Sequence, residues 1–339
     1  KGDTHATGKP GAQDILFKGD ANKWLKLAYG LKARYTMHTL NVTEDKTAAL
    51  NTVLECCKKA AQNAGDQAAF NVYDGVANLN PLLDFVYSRE YTAASASLTK
   101  KLIVRNDPRL HRAFADAIGA DESLGAEGFY SKQLTGKEEN FLSMMAPNGK
   151  PQQVQEVYNT SIFLFAATAP TMFMSYHEVK FLEAEALVRL NRLEEAKATL
   201  KEAIVAGLMN MEVSVDAALE NTSVPVKGNS TEAVTIAEAE EYFETEVVPL
   251  FNADPLKETM IQKYLAFWGA NGESTECYND VRRLKSEGHD IYDFENPGKF
   301  PLRTPYGSDD VTTNPNVKNA YGNGQYVFSE NVWWAGGSR

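Results

Sequence analysis

The feature that most constrains this fold is the helical period of residues 171–208. Apolar side chains recur there every three or four residues, which places them on one face of an α-helix. Two such sets flank a turn at Asn191-Arg192, namely Phe181, Ala184, Leu187 and Val188, and then Leu193, Ala196, Leu200, Ala203 and Ile204. The spacing predicts an αα-hairpin over 171–208 that ends at Gly207, because glycine favours helix termination.

A hairpin of this size resembles a tetratricopeptide unit of about 34 residues, which buries its apolar face only against neighbouring hairpins. Further helices are predicted from Asp20 onwards, with Trp24, Leu27, Leu31 and Tyr35 on the apolar face, and over 43–63, 236–250, 256–269 and 274–286. Long irregular loops separate them, with short strands at 154–158 and 162–165. The last 50 residues are rich in Pro, Gly and Asn, and we expect coil pinned by Trp333-Trp334. The predicted fold class is mainly α, with helical hairpins, long irregular loops and little β.

The composition of the chain argues against several classes of partner and site. The 339 residues carry 34 basic and 45 acidic side chains, a net charge of −11, which disfavours a nucleic-acid partner. Cys56, Cys57 and Cys277 are too few and too scattered for a disulfide framework or a zinc site. No apolar run reaches the roughly 18 residues of a membrane-spanning helix.

The common catalytic motifs are missing from the sequence. His177-Glu178 lacks the second histidine of a zinc-protease helix, and there is no phosphate-binding, dinucleotide-binding or nucleophile-elbow motif. We therefore predict no metal and no cofactor. Glu183 and Glu185 lie two residues apart and so do not share a helix face, although one can pair with Arg189. Two carboxylates brought together from distant segments would still suit a glycosidase.

Aromatic residues in a polar loop are the remaining indication of a ligand-binding site in the sequence. Sugars stack their apolar CH faces on flat rings and hydrogen-bond to amides, carboxylates and guanidinium groups. The segment from 73 to 91 offers this inventory, and the candidate ligand-binding residues are Tyr73, Asn78, Asn80, Tyr87, Arg89 and Tyr91. Ordinary packing is the alternative for each tyrosine. Weaker ligand binding in Tyr87→Ala and Tyr91→Ala would support the site.

Several segments, in order along the chain, resemble the SusD/RagB family of outer-membrane nutrient-binding lipoproteins. They include Lys23-Trp24-Leu25-Lys26-Leu27-Ala28, Asn106-Asp107-Pro108-Arg109-Leu110, Met174-Ser175-Tyr176-His177-Glu178-Val179-Lys180-Phe181, Ile261-Gln262-Lys263-Tyr264 and Asp280-Val281-Arg282-Arg283. Each match is weak alone, but the ordered set is specific. Tyr29-Gly30 and Cys277-Tyr278 depart from the family pattern.

The resemblance implies one SusD-like domain over 1–339, forming the carboxy-terminal two-thirds of a longer protein. It implies a non-enzymatic glycan-binding protein on the outer face of the outer membrane, anchored by lipid on a cysteine upstream of this chain. Its partners would be an oligo- or polysaccharide and a SusC-type TonB-dependent transporter. A helical glycoside hydrolase or lyase and a non-catalytic interaction scaffold are the alternatives.

Overall fold

The computed structural model describes residues 11–83, 96–115, 160–221, 232–269, 272–294, 299–317 and 326–337. These residues are mainly α-helical, as the sequence predicts. The helices are α1 (Ala21–His38), α2 (Lys46–Cys57), α3 (Ala96–Val104), α4 (Arg109–Arg112), α5 (Tyr176–Arg189), α6 (Leu193–Leu219), α7 (Ile236–Tyr242), α8 (Val248–Ala253), α9 (Pro255–Ala266), α10 (Ser274–Ser286) and α11 (Ser308–Thr313). A π-helical turn, Phe243–Val247, joins α7 to α8.

The β-structure of the described residues is small. It consists of two antiparallel pairs, β1 (Ala68–Phe70) with β4 (Thr171–Met174), and β2 (Phe114–Ala115) with β3 (Thr160–Ser161). The predicted strand at 162–165 is wrong, because Ile162–Phe165 forms a buried 3-10 helix. A short apolar run has no period that separates a strand from a buried helical turn. The other predicted strand, at 154–158, lies outside the described residues.

Helices α5 and α6 pack closely against each other at the centre of the molecule. Ser175 caps α5 by accepting a hydrogen bond from the Glu178 amide, and Asn191 turns the chain with a positive φ of 57°. Helix α6 continues to Leu219, so the predicted stop at Gly207 is wrong. A Cβ at position 207 would lie 3.1 Å from the Cβ of Ala266, so the glycine allows α9 to pack closely against α6.

Helix α1 turns a different face to the core from the one predicted. Leu27, Ala33 and Met37 are buried, whereas Trp24 is 42% exposed and Tyr35 is 57% exposed. The side chain of Asp20 caps the helix, as expected for Asp before an amphipathic segment. Of the predicted apolar face, Leu27 is therefore buried as expected and Leu31 packs against the core, whereas Trp24 and Tyr35 are exposed.

Buried ion pairs join the central helices. Arg283 on α10 donates to Glu185 on α5 at 2.6 Å and to Asp280 at 2.9 Å, and Asp280 also pairs with Lys263 on α9 at 2.7 Å. Arg189 donates to Glu185 at 2.8 Å, which is one of the two pairings that the sequence leaves open. Despite burial, Arg283 and Arg189 hold the pKa of Glu185 below its ordinary value. The pairs orient α5, α9 and α10 relative to one another.

The end of the described chain packs on α1 and α10. Trp334, in the 3-10 helix Trp333–Ala335, stacks on His38 with ring centroids 5.5 Å apart, and the Arg282 guanidinium lies 4.8 Å from the Trp334 ring. Trp333 itself is 60% exposed. The second tryptophan of the pair is thus the one that pins the tail.

Candidate functional site

The turn after β1 carries two of the residues proposed from the sequence. The hydroxyl groups of Tyr73 and Thr171 lie 2.9 Å apart, and the Tyr73 ring lies 4.8 Å from that of Phe70. Asn78 is exposed and donates its side-chain amide to Asp74 at 2.8 Å. The turn therefore presents a half-buried tyrosine next to exposed amide and carboxylate groups.

Asp74 organises this turn. Its carboxylate accepts the backbone N–H groups of Val76, Ala77 and Asn78 at 2.8–2.9 Å. The Asn78 backbone bond has the largest effect among those that lower the pKa of Asp74 well below its usual range. Asp74 therefore stays ionised, and it keeps Asn78 at the surface.

Asn80, another of the residues proposed from the sequence, is only 1% exposed. Its side-chain amide donates to the Ala169 carbonyl at 2.8 Å, and its side-chain oxygen accepts from the Leu82 amide at 2.9 Å. These bonds tie the turn to the segment before β4. The other proposed residues, Tyr87, Arg89 and Tyr91, lie outside the described residues.

Strand β4 presents an outer face next to the turn. Successive side chains of a strand point to opposite sides. Met172 and Met174 are buried, while Thr171 is half-buried and Phe173 is 48% exposed. Because Tyr73 bonds to Thr171 and Phe173 lies two residues further on the same face, the tyrosine and the phenylalanine share one surface.

Arg34 fixes this strand from the inside. Its guanidinium donates to the Phe173 carbonyl at 2.8 Å and to the Glu178 carboxylate at 2.6 Å. Full burial raises the pKa of Glu178 to about 8, against the attraction of Arg34. Arg34 and Glu178 lie 144 positions apart in the sequence, so this contact is a finding of the structure.

Trp24 completes the exposed surface. It lines, with Gln13, Asp14, Ile15, Leu16 and Phe173, a shallow depression of about 470 Å³. Its indole N–H donates to Asp14 at 2.7 Å, and its ring meets Phe17 edge-on at 5.3 Å between centroids. The tryptophan is therefore held in one orientation while much of its surface remains open.

Asp14 is the centre of the loop that holds Trp24. It also accepts the backbone N–H groups of Leu16, Phe17 and Gly19 at 2.8–3.1 Å. Desolvation opposes ionisation, but the bonds from Trp24 and these amides lower the pKa of Asp14. The depression thus has an ionised carboxylate at its edge, and none of the described residues that line it is cationic.

We call Tyr73, Thr171, Phe173 and Trp24 the β4 platform. Of these four, the sequence identifies only Tyr73 as a site residue. It assigns Trp24 to the core because of its period, and it gives no signal for Phe173, whose role depends on which face of β4 is buried. The platform can stack flat apolar surfaces and offers carboxylate and amide groups at its rim.

Among the described residues, the buried carboxyl groups of Glu178 and Glu273 do not form an accessible acid pair. Burial raises the pKa of Glu178, whereas for Glu273 the contacts with His177 and Ser175 outweigh burial and lower it. A glycosidase can use two carboxyl groups, one with a raised pKa and one with a lowered pKa. Here, however, they are 0% and 3% exposed, respectively, and lie within the helical core.

Two further observations concern the described residues alone. Among them, no three His, Cys, Asp or Glu side chains converge as metal ligands. No helix in the described ranges combines the length and the apolar character needed to cross a bilayer.

Comparison with known proteins identifies the class. The model of the SusD-like family described as starch-binding and associating with the outer membrane matches residues 3–306. A SusD/RagB family protein from Bacteroides thetaiotaomicron is 48% identical, with a TM-score of 0.87 over 98% of this chain and 68% of that protein. The chain therefore belongs to the SusD-like family, as its motifs suggest.

More distant solved structures share the fold. A SusD homologue from Bacteroides fragilis is 19% identical, with a TM-score of 0.63 over 96% of this chain and 70% of its own. A chitin-binding protein is also 19% identical, with a TM-score of 0.61, covering 95% of this chain and 67% of its own. No curated protein matches the chain.

Proposed function

We propose that this protein binds a neutral oligo- or polysaccharide on the β4 platform without cleaving it. The proposal rests on the ring of Trp24, which is held by a hydrogen bond and is partly exposed beside the exposed Phe173. Rings of this kind stack on the CH faces of sugars. Membership of a family described as starch-binding supports the same ligand class.

The chemistry of the rim favours uncharged sugars. Asp14 and Asp74 both have lowered pKa values and remain ionised near neutral pH. They repel sulfated or uronic-acid polymers, in line with the net charge of −11. We propose that Asn78 and the sequence-predicted Tyr87, Arg89 and Tyr91 contribute further contacts.

Membership of the family supports a proposal for the cellular role. Its description places it in association with the outer membrane. We propose that the protein is held by lipid at the outer surface and passes its glycan to a SusC-type TonB-dependent transporter. Co-purification of such a barrel with the tagged protein from native membranes tests this partnership, and its reproducible absence would contradict it.

A binding experiment tests the proposed ligand. Starch, chitin fragments, xylan, mannan and a sulfated control polymer are each titrated against the protein by calorimetry, with reducing ends assayed in parallel. We expect binding of at least one neutral polymer, no binding of the sulfated one and no release of sugar. Released reducing ends would establish the hydrolase alternative, and β-elimination products would establish the lyase.

The scaffold alternative has an observation in its favour. A groove of about 480 Å³ runs along α6, with Val205, Met209 and Val213 among its lining residues. A protein with no affinity for any polymer on the panel, but with a peptide partner in this groove, would be an interaction scaffold. We favour glycan binding because the Trp24 ring of the β4 platform is both exposed and held in place.

A further inference from the structure

The two rings of the β4 platform belong to different elements of the fold. Trp24 lies in the first turn of α1 and Phe173 lies on β4, yet both line the same depression. A ligand gains most from two rings that are already fixed relative to each other, because binding then does not have to order them. The contacts that hold β4 against α1 therefore bear on ligand binding as well as on stability.

At Gly30, helix α1 lies directly against β4. A Cβ atom at this position would lie 2.9 Å from Cγ of Met174 and 3.2 Å from its Sδ, which is too close for ordinary packing. The glycine thus leaves the space that the buried Met174 side chain occupies. Because Met174 directly follows Phe173, this contact helps to set the distance between α1 and the platform strand.

Arg34 lies four residues after Gly30, on the same face of α1. Its Nη2 group donates to the Phe173 backbone carbonyl at 2.8 Å. Its Nε group donates to Glu178 at 2.6 Å, and Nη2 also donates to the second oxygen of that carboxylate. One buried side chain thus ties the backbone of a platform residue to α1 and to the first turn of α5.

Carboxylates hold this guanidinium in place. The backbone amide of Glu178 donates to the Ser175 hydroxyl at 3.0 Å, and the amide of Ser175 donates to Glu273 at 2.8 Å. Glu276 lies 3.9 Å from Nη1 of Arg34. A guanidinium has five N–H donors in a rigid plane, so it can serve a carbonyl and a carboxylate together. The compact ammonium group of a lysine has no such fork.

The pair of Arg283 with Glu185 has the same chemistry at another place in the core. Its guanidinium is buried and donates through two nitrogens to the two oxygens of Glu185, at 2.6 and 2.5 Å. In the described part of the chain, the other bond of this side chain goes to Asp280 on its own helix. Arg34 differs from Arg283 by its bond to the backbone of the β4 platform.

Building on the proposed function, we propose that Arg34 is a positioning residue for glycan binding. By holding the Phe173 carbonyl against α1, it places the rings of Phe173 and Trp24 so that one sugar chain contacts both. Gly30 contributes by letting β4 approach the helix. Arg34 itself is buried beneath the platform, so its effect on affinity passes through Phe173.

The test compares Arg34→Lys with Arg283→Lys, its matched control. Both replace a buried guanidinium by an ammonium of the same charge, and both should unfold at a lower urea concentration than the unmodified protein. Affinity is then measured by calorimetry, without urea, for a polymer that the unmodified protein binds. Arg34→Lys should bind about fivefold more weakly, which corresponds to one stacking contact, whereas Arg283→Lys should bind as the unmodified protein does.

A double variant shows whether Arg34 acts through Phe173. Phe173→Ala keeps the backbone carbonyl and removes an exposed ring, so it should fold and should lose about fivefold in affinity. Arg34→Lys/Phe173→Ala should bind no more weakly than Phe173→Ala, because the ring that Arg34 positions is already absent. A purely structural role of Arg34 would lower the affinity by the same factor with and without the ring.

Gly30→Ala perturbs the same strand if Arg34→Lys does not fold. Alanine favours the helix, and its Cβ displaces Met174 without removing any charge. This variant should weaken binding when Phe173 is present and leave the affinity of Phe173→Ala unchanged.

Several outcomes would overturn the inference and leave the proposed function intact. They are unchanged affinity of a folded Arg34→Lys, an equal loss in Arg283→Lys, and equal factors of loss with and without the Phe173 ring. If Arg34→Lys does not fold, unchanged affinity of Gly30→Ala has the same meaning. Failure of the unmodified protein to bind any polymer, or unchanged binding by Phe173→Ala, would instead refute the proposed site, and the inference with it.

Discussion

Replacing Arg283 with Met tests whether the buried ion pairs hold the helices together. Arg283 is 1% exposed and Glu185 is fully buried. The substitution removes the bonds to Glu185 and Asp280 but keeps much of the aliphatic volume of the side chain. Two buried carboxylates then each lose a positive partner.

The expected loss of unfolding free energy depends on the positive partners that the two carboxylates keep. Removing one member of a buried ion pair costs about 3–5 kcal/mol, because the other charge is left uncompensated. Glu185 keeps Arg189, and Asp280 keeps Lys263. We therefore expect Arg283→Met to lower the free energy of unfolding by about 3 kcal/mol, at the low end of this range.

Urea denaturation followed by circular dichroism measures this loss. The double variant Glu185→Leu/Arg283→Met removes both charges and should recover part of the stability, because apolar pairs can replace buried ion pairs. Arg192→Met, in the exposed pair with Glu195, is the matched control and should unfold like the unmodified protein. Unchanged stability of Arg283→Met, or a double variant less stable than the single one, would refute this reasoning.

Trp24→Ala should weaken binding of the preferred glycan by about 1 kcal/mol in calorimetry, with Trp24→Phe closer to the unmodified protein; equal affinities would remove Trp24 from the site. Asn80→Ala leaves the Ala169 carbonyl without its amide donor and should lower the unfolding free energy by about 1–3 kcal/mol, measured in urea. Although burial opposes it, the bond to His38 lowers the pKa of Glu276 from 4.5 to about 2. Stability should therefore fall as the pH drops from 4.5 towards 2, and Glu276→Gln should flatten this dependence; parallel pH profiles would contradict the assignment.

The helices can be predicted from the spacing of apolar residues in the sequence. The face of each helix that is buried cannot be predicted in this way. The sequence predicts α1 but assigns Trp24 and Tyr35 to its buried side, because apolar residues at helical spacing usually face a core. The structure buries Arg34 instead, since Glu178 supplies a bidentate partner. A partner so distant in sequence cannot be inferred from a local pattern.

Rules based on the local sequence also fail at positions where tertiary packing determines the structure. Gly207 resembles a helix end, but it serves as the close contact with Ala266 between α6 and α9. Asn80 lies in a polar loop, yet it is buried and donates to a backbone carbonyl, which its local sequence does not predict. Tyr73 is placed at the surface because its hydroxyl meets Thr171, which no local pattern predicts.

The bond between Asp14 and Trp24 has a kinetic consequence. It forms during folding, so the indole has already given up its rotational freedom before a ligand arrives. Capture then requires no slow rearrangement of this side chain, and a single stacked ring adds too little energy for long residence. Rapid capture and rapid release would suit the transfer of a glycan to a transporter that we propose above.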